Sequence, residues 1–563
     1  MRMSARQFAS LSLVLLTCPA LTQQLASTDS SASEAAVKAI RGEAIRSHMR
    51  FLSDRLLQGR APGTAGYDIA AHYVATELEG MGVQPGANGS WYQPVPLRKA
   101  ILDSAKSSLV LVGSGNEEKL TDGEDYVFVA DVLRPESSVE APLVFVGFGV
   151  TAPDQNYDDY AGVDVHGKII VAIYGAPARF PSTERAYYSD GVVKAKNAVA
   201  HGAAGILTIM LPEDQKRYPW AWLVPQIRMG EMRWLDAQGN PHNAFPQLRT
   251  GALLNQHSTE VLFTGAAKFL DQAFAGARAG KPQAFALPWN ARIHTASARN
   301  EIKSANIIGE IAGSDPAVRD QYVVYTAHVD HLGICPAING DNVCHGALDN
   351  ASGTASLLEV ARAFASLSRP QRRSVLFVFV TGEEMGLLGS DYFAHFPTVP
   401  LEKIVANVNI DGTPGLLYPM KDVVALGIEH SNLSQDVETA SRQMGYEVSP
   451  DPMPEEVMFI RSDQYSFVLQ GVPAVNPSDG TKSTDPKVNG LDVIKKWLTQ
   501  QYHTPLDNMD QPLDYASAAK ATGLTFLIGF EVAQQHDPPK WNEDDFFGAR
   551  FGPRHKGRSA EAD

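Results

Sequence analysis

The chain has 563 residues, a length that predicts roughly two to four domains. Its proportions of hydrophobic residues (44%) and charged residues (20%) are those of a globular protein. A formal net charge of −15, with no run of lysine or arginine, excludes a protein that binds nucleic acid through a basic surface.

The first residues have the pattern of an export signal. Two arginines precede an apolar stretch over residues 8–16, and small and polar residues follow. No later segment reaches roughly 18 uninterrupted apolar residues, so we expect no membrane-spanning segment once the signal is removed. We predict a signal peptide over 1–22 and a periplasmic or secreted protein. Lipid attachment at Cys18 is the alternative, which Thr17 and Pro19 fit poorly.

The middle of the chain differs from the flanking segments in its pattern of apolar residues. Residues 36–95 have apolar residues spaced three and four apart, typical of helices, and strand-like segments follow near 108–112 and 126–133. Residues 136–289 are β-rich and contain none of the metal-capable motifs described below. We therefore interpret 136–289 as an inserted domain. Strands are predicted at 143–146, 168–173 and 205–210, and a helix at 192–201.

From residue 304 onward the pattern is α/β. Short, nearly continuous apolar runs suit strands that are buried on both faces of a sheet, and they occur at 322–325, 375–380, 404–410 and 472–475. A helix is predicted over 354–367. The sequence thus predicts an α/β fold with a mixed, mostly parallel central sheet flanked by helices. Its domain is discontinuous (36–135 and 290–536), and the last residues, 537–563, are polar and expected to be loosely ordered.

Five metal-capable side chains lie in five short motifs of this second half. Two are imidazoles and three are carboxylates, which suits a pair of zinc-like ions sharing one bridging carboxylate. Three of the motifs follow predicted strands, and ligands bind at the carboxyl ends of strands in open α/β sheets. The motifs are Thr-Ala-His328-Val-Asp-His, Gly-Ala-Leu-Asp349-Asn, Thr-Gly-Glu-Glu384-Met-Gly, Asn-Ile-Asp411-Gly and Tyr-His503-Thr-Pro-Leu-Asp.

Two further carboxylates accompany these motifs. Glu383 and Glu384 are adjacent, so one can bind a metal while the other moves a proton, and residue chemistry alone leaves open which does which. Asp330, two residues after His328, is placed to orient that imidazole from outside the metal's own ligands.

Cys335 and Cys344 lie in the loop between His328 and Asp349. In an oxidising compartment we expect a disulfide between them. A small metal site formed by these cysteines with His331 and His345 is the alternative, although the spacing matches no familiar zinc-finger pattern.

The ordered set of five motifs resembles the M28 metallopeptidases, a co-catalytic di-zinc family with a phosphorylase/hydrolase-like α/β fold. The likeness extends over about residues 36–530. Within the insert, 144–149, 156–161 and 167–171 are similar to a protease-associated (PA) domain, and 56–66 resembles the start of bacterial M28 enzymes that carry such an insert.

This resemblance implies a role for each ligand. Asp349 would bridge two Zn²⁺ ions, although other divalent metals are compatible with the same ligands. His328 and Asp411 would complete one site, and Glu384 and His503 the other.

It also implies how the remaining groups act. Glu383 would be the general base, Asp330 the residue that orients His328, and Tyr502 a hydroxyl donor to the tetrahedral oxyanion. A cis peptide bond after Asp349 is a further expectation.

The chain departs from the family pattern at two positions. Asp463-Gln464 stands where many relatives have Asp-His, and Gly412 stands where many have Met. Arg461, next to the first of these, is a candidate for contacting a substrate carboxylate, with a structural ion pair as the alternative.

We therefore expect an exported co-catalytic zinc aminopeptidase that acts on peptide substrates. A glutamate-type carboxypeptidase would use the same metal site but would be marked by a cluster of pocket arginines. A glutaminyl-cyclase-like transferase would hold a single zinc ion. A binding protein of the transferrin-receptor type should have lost ligands, whereas this chain has all five.

Overall fold

Two sheets joined by one long strand organise residues 31–553, the part of the chain that the computed structural model describes. The predicted signal peptide, with Cys18, lies outside the described residues. None of the helices in 31–553 is both long and apolar enough to span a bilayer.

The first sheet, here called the central sheet, is parallel in its middle and has antiparallel pairs on either side of that middle, with one short parallel strand at an edge. This arrangement confirms the predicted mixed α/β class. Across the sheet the strands follow the order Glu231–Trp234, Tyr92–Leu102, Phe285–Ile311, Ser374–Val380, Tyr322–His328, Ile404–Asn409, Ala474–Asp479, Asp422–Leu426 and Glu447–Val448, with Gln84–Pro85 beside the end of Phe285–Ile311.

Helices cover both faces of the central sheet. Strand Ser374–Val380 shows why: Val375, Phe377 and Phe379 point into one core and Leu376 and Val378 into another, so both faces exclude water. The helices over the first face are Ala65–Gly80, Gly353–Ala365, Leu433–Met444 and Tyr515–Gln534. Those over the second are Leu388–His395, Gln464–Leu469 and Phe546–Phe551. Gly42–Leu52 and Gly490–Gln500 form a smaller cluster beside the site.

The second sheet, here called the insert sheet, has its own hydrophobic core. Its strands are Ser108–Val112, Glu117–Lys119, Tyr126–Phe128, Glu136–Phe145, Ile169–Ile173, Gly205–Ile209, Gly251–Leu254 and the first part of Phe285–Ile311. Its helices are Ser182–Ser189, Gly191–Ala200, Pro212–Arg217, Trp220–Arg228, Gln256–Phe263 and Leu270–Arg278. Two small hairpins complete the fold, Thr151–Ala152 with Tyr157–Asp158 and Gly333–Ile338 with Asp341–Cys344.

The insert sheet begins earlier than the predicted boundary at residue 136. Strands Ser108–Val112 and Tyr126–Phe128 belong to it because Leu109 and Leu111, like Phe128, pack into its core. It also has no sharp end at residue 289, since strand Phe285–Ile311 continues from this sheet into the central sheet.

The predicted loose order of 537–563 is wrong for 537–553. A helix forms at Phe546–Phe551, and Phe547 is fully buried among aromatic side chains of the second core. The aromatic residues of this segment gain enough buried apolar surface to order it despite the polar residues between them. Residues 554–563 lie outside the described part.

Candidate active site

The ends of three neighbouring strands bring the predicted ligands together. His328 is the last residue of Tyr322–His328, Glu383 and Glu384 form a turn after Ser374–Val380, and Asp411 follows Ile404–Asn409. These strands are parallel neighbours, so their carboxyl ends meet at one edge of the sheet.

His328, Asp349 and Asp411 form the first group. His328 Nε2 is 3.3 Å from Asp349 Oδ1 and 3.3 Å from Asp411 Oδ1, and the imidazole is fully buried. Its Nδ1 donates to the backbone carbonyl of Asp330 at 3.1 Å, while the nearest Asp330 carboxylate oxygen is 4.0 Å away. The main chain of Asp330, rather than the predicted carboxylate, therefore makes the closer contact with His328.

The second group contains His503, Glu384 and the other oxygen of Asp349. His503 Nε2 is 3.2 Å from Asp349 Oδ2 and 3.0 Å from Glu384 Oε2. Asp349 thus directs one carboxylate oxygen to each group. The arrangement of five side chains as two pairs around one shared carboxylate matches the predicted ligand set.

The donor set fits metal ions. Two ligand atoms about 2.0–2.1 Å from one tetrahedral ion stand about 3.3 Å apart, close to the separations within each group. His503 Nε2 is buried and makes no hydrogen bond among the described residues, although two carboxylates face it. A buried nitrogen in this state is expected of a ligand whose lone pair faces a cation.

Hydrogen bonds of the residues before and after Asp349 fix its position. The backbone N–H groups of Leu348 and Asp349 donate to the Asp507 carboxylate at 2.9 and 3.0 Å. The Asp349–Asn350 peptide bond is cis, as the family resemblance predicts, and the Asn350 side chain donates to the carbonyl of Ile410 at 2.9 Å. These contacts fix the shared carboxylate relative to the strand that precedes Asp411.

The adjacent glutamates have opposite electrostatic surroundings. Burial raises the pKa of Glu383 well above its usual value, and the negative charges of Asp411 and Glu384 raise it further, against the influence of His328. Burial opposes ionisation of Glu384 as well, but the imidazoles of His503 and His331 lower the pKa of Glu384 to about 2. Glu384 is therefore the better anionic ligand and Glu383 the better proton acceptor of the two.

His331 is a contact that the sequence interpretation missed. Its Nδ1 is 2.5 Å from Glu384 Oε1 and 4.0 Å from Asp349 Oδ2, and its ring is fully buried. The sequence offered one indication of this contact: His331 is the second histidine of His-Val-Asp-His, three residues after the predicted ligand His328.

The cysteines do not form a metal site with His331. Cys335 and Cys344 are bonded to each other, which confirms the expected disulfide and leaves no thiolate to bind a metal. His345 contacts the Ser53 carbonyl at 2.9 Å and Asp341 Oδ2 at 2.9 Å instead. The alternative cysteine–histidine site is therefore wrong.

Arg60 is a second residue that sequence reasoning did not single out. Its side chain is only 1% exposed, and its guanidinium donates to four backbone carbonyls around the site. Burial lowers the pKa of Arg60 to about 10, against the charges of site carboxylates led by Asp330, so it stays cationic at neutral pH. The four acceptors belong to Leu52, Val329, His345 and Gly346.

Tyr502 and Arg461 lie beside the second group. The Tyr502 ring stacks on the His503 imidazole with centroids 3.7 Å apart. Burial raises the pKa of Tyr502, and the positive charge of Arg461 acts in the opposite direction, so the phenol remains a hydrogen donor. Arg461 Nη1 is 3.8 Å from Glu456 Oε2, which places its guanidinium in an ion pair within this chain.

The two departures from the family pattern have structural partners. The Gln464 side chain donates to the Phe459 carbonyl at 2.7 Å and accepts from Asn409 at 2.9 Å. The Gly412 N–H donates to the Asn350 side chain at 2.9 Å. Neither position faces the ligand groups as a further donor, so the five-residue set is unaffected.

This chain is similar in sequence to several known proteins. Residues 306–527 match the model of Peptidase family M28. Aminopeptidase NAALADL1 of Mus musculus is 26% identical over 328 residues, which cover 50% of this chain and 40% of that protein. Aminopeptidase YwaD of Bacillus subtilis is 26% identical over 241 residues, covering 42% of this chain and 46% of that protein. The chain thus spans less than half of the length of these curated relatives.

A solved structure shares the fold across most of the chain. The aminopeptidase from Aneurinibacillus sp. strain AM-1 superposes with a TM-score of 0.53 at 19% identity. The superposition covers 89% of this chain and 95% of that chain, so it includes both sheets rather than the central sheet alone.

Proposed function

We propose that this chain, of which residues 306–527 match Peptidase family M28, is a member of that family and an exported co-catalytic zinc aminopeptidase that removes N-terminal residues from peptides. The observation that carries this proposal is the shared carboxylate of Asp349, with one oxygen toward His328 and Asp411 and the other toward Glu384 and His503. A carboxylate between two incomplete ligand groups is the arrangement that a pair of ions requires.

In this proposal Glu383 moves the proton. Zinc ions held by the two groups would supply the Lewis acidity that peptide hydrolysis needs. Glu383 would take a proton from the attacking water and pass it to the leaving amine, which suits its raised pKa. Asp330 accepts the Glu383 backbone N–H at 3.2 Å and so helps to fix the position of this glutamate.

Tyr502 would stabilise the charge that develops on the scissile carbonyl oxygen. Its ring is held against His503, and its phenol stays protonated. A hydroxyl that is already positioned costs little reorganisation when the oxyanion forms, which is why such donors accelerate acyl transfer.

Substrate access would be set by the insert. Tyr218 of the insert donates its hydroxyl to Glu456 Oε2 at 2.9 Å, and Arg217 Nε is 3.2 Å from Glu456 Oε1. These contacts hold the insert next to Arg461 at the site. We propose that this PA-like insert covers the cleft and admits short, unfolded peptides.

An aminopeptidase is favoured over a glutamate-type carboxypeptidase by the state of Arg461. Its guanidinium already faces Glu456, so it is not free to receive a substrate carboxylate. The relatives reported above are also named as aminopeptidases.

Export is supported by two features of different kinds. The N-terminal sequence has the order of charges and apolar residues of a signal peptide. The Cys335–Cys344 disulfide is a bond that persists in oxidising compartments.

A substrate panel tests the proposed specificity. Aminoacyl-nitroanilides with a free amino group should be hydrolysed, and the same compounds with an acetylated amino group should be hydrolysed at least about 10²-fold more slowly, because blocking removes the group that an aminopeptidase recognises. Equal rates on free and blocked substrates would contradict an aminopeptidase.

Dialysis against a chelator should abolish hydrolysis and zinc should restore it, whereas undiminished turnover in chelator would contradict the zinc mechanism.

A further inference from the structure

His331 contacts the second ligand group from outside the predicted ligand set. Its Nδ1 is 2.5 Å from Glu384 Oε1, whereas His503 Nε2 is 3.0 Å from the other oxygen of that carboxylate, Oε2. The two oxygens of Glu384 therefore face two different imidazoles. The proposed function uses His503 as a ligand and assigns nothing to His331.

The distances distinguish a hydrogen-bond donor from a further ligand. Two ligand atoms on one tetrahedral ion stand about 3.3 Å apart. The separation of His331 Nδ1 from Glu384 Oε1 is too short for such a pair and suits an N–H that donates to a carboxylate. At 4.0 Å, Nδ1 is also farther from Asp349 Oδ2 than His503 Nε2 is, at 3.2 Å. His331 therefore lies outside the position that an ion between these ligands would occupy.

The second ring nitrogen of His331 supports the same assignment. Its Nε2 is buried and has no hydrogen-bond partner among residues 31–553. With the ring hydrogen on Nδ1, only an acceptor is left unpaired. If Nδ1 bound an ion instead, the hydrogen would lie on Nε2 as a buried N–H without an acceptor, which folded proteins avoid.

Packing holds the His331 ring in this orientation. The side chain is fully buried, and it lies against the backbone of Gly346, where a Cβ would be 2.6 Å from His331 Cγ. The His503 ring meets it at 70°, with centroids 5.8 Å apart. Its backbone N–H donates to the Arg60 carbonyl at 3.4 Å. These contacts direct Nδ1 at Glu384 without any contribution from an ion.

Given the zinc centre of the proposed function, on which the assignment rests, we propose that His331 is a positioning residue that restricts Glu384 to binding through one oxygen. Because His331 donates to Oε1, only Oε2 is directed at the second ion. Asp349, Glu384 and His503 then supply three ligand atoms, and the fourth position of a tetrahedral ion stays free for water or substrate. A glutamate that bound through both oxygens would fill that position.

Competition with a chelator tests the effect of His331 on zinc affinity. Each chain is loaded with zinc and titrated with a chelator of known affinity, and the zinc that remains is measured by mass spectrometry. His331→Leu should lose one of two equivalents at an about 10–100-fold lower chelator excess than the unchanged chain, because ligands lose affinity to this extent without their outer hydrogen bond. His331→Asn, whose amide N–H can take the place of Nδ1–H, should retain both ions nearly as well. His257→Leu, at an exposed histidine, is the matched control and should behave as the unchanged chain does.

The outcomes of this titration separate the role of His331 from the zinc centre itself. Two equivalents held equally well by His331→Leu and the unchanged chain would overturn the proposal and leave the proposed function intact. Equal losses from His331→Leu and His331→Asn would also overturn it, since they would show that the imidazole is needed for packing and not as a donor. Fewer than two equivalents in the unchanged chain would refute the zinc pair.

The unchanged chain allows an independent test that does not depend on the folding of a variant. A crystal structure of the zinc-loaded protein should show Glu384 Oε2 at about 2.0–2.2 Å from the second ion and Oε1 accepting from His331. Binding of that ion through both oxygens of Glu384, or through His331 Nδ1, would overturn the proposal.

Discussion

Glu383 and Glu384 are neighbours in the chain, yet their side chains meet different partners. Glu384 lies between His503 and His331, both of which favour its anion, whereas Glu383 is surrounded mainly by other carboxylates. Each can therefore serve a function that the other cannot, and the difference arises from a turn only three residues long.

Substitution of Glu383 separates proton transfer from metal binding. Glu383→Gln keeps the volume of the side chain but removes the proposed base, so kcat should fall by roughly 10²-fold or more with zinc content unchanged. Glu384→Gln is the matched control and should lose zinc. The two readouts are initial rates and metal content, and loss of zinc from Glu383→Gln would show that Glu383 is a ligand instead.

The residues that sequence reasoning missed share one property. His331, Asp507 and Arg60 act through contacts that are distant in sequence, such as the bonds from Arg60 to carbonyls about 270–285 residues away. The five predicted ligands could be picked out because each sits in its own short motif, and three of these motifs follow an apolar run. No local pattern indicates which backbone carbonyl a buried arginine will reach.

Two helices that cover the first face of the central sheet bring acidic groups together. Asp436 on Leu433–Met444 is 6% exposed and lies near Glu531 on Tyr515–Gln534, and Gln535 donates to its carboxylate. Burial, with the charge of Glu531, raises the pKa of Asp436 to about 7. Ionised Asp436 therefore works against the packing of these helices.

Asp436→Asn should stabilise the protein in a pH-dependent way. Below about pH 4 the carboxyl is protonated in both the folded and the unfolded state, so the substitution should change little. As the pH rises through 7 the folded state must also carry the anion, so the gain from Asn should grow to the order of 2–4 kcal/mol at pH 8. Thermal unfolding midpoints at pH 4 and pH 8 measure this. Exposed Glu438→Gln on the same helix is the control, and a gain of equal size at both pH values would contradict the assignment.

How well an element could be predicted depended on what buries it. The run 375–380 is apolar at every position because both of its faces are covered, and its prediction was accurate to one residue. The strands Ser108–Val112 and Tyr126–Phe128 were also expected as strands, but the predicted boundary at residue 136 placed them outside the insert, whose sheet they join. The apolar residues of a strand indicate that it is buried, but they do not indicate with which strand it pairs.

At the scale of the whole molecule, the C-terminal segment joins the two bodies of the protein. Phe547 makes ring contacts with His430 and Phe459 of the central-sheet body and with Tyr187 on an insert helix, at centroid distances of 5.0, 5.5 and 6.3 Å. A segment that was predicted from the sequence to be loosely ordered is therefore part of the contact between the insert and the central-sheet body.

Phe547→Ala should destabilise the folded protein by about 3–5 kcal/mol, because a fully buried aromatic ring is replaced by a cavity. The expected result is a lower unfolding temperature in calorimetry. Glu543→Ala, at an exposed position four residues earlier, should leave that temperature unchanged. An unaltered transition in Phe547→Ala would show that this helix is not packed as described.

The strand Phe285–Ile311 runs through both sheets without interruption, pairing with Glu136–Phe145 in its first part and with Tyr92–Leu102 and Ser374–Val380 farther along. The insert is consequently not a detachable module. A deletion that removed residues 136–289 would cut this strand and remove Glu136–Phe145, the strand with which its first part pairs. Evolution or an engineer could exchange the surface loops of the insert freely, but replacing the whole insert would require rebuilding the sheet that carries the proposed catalytic residues.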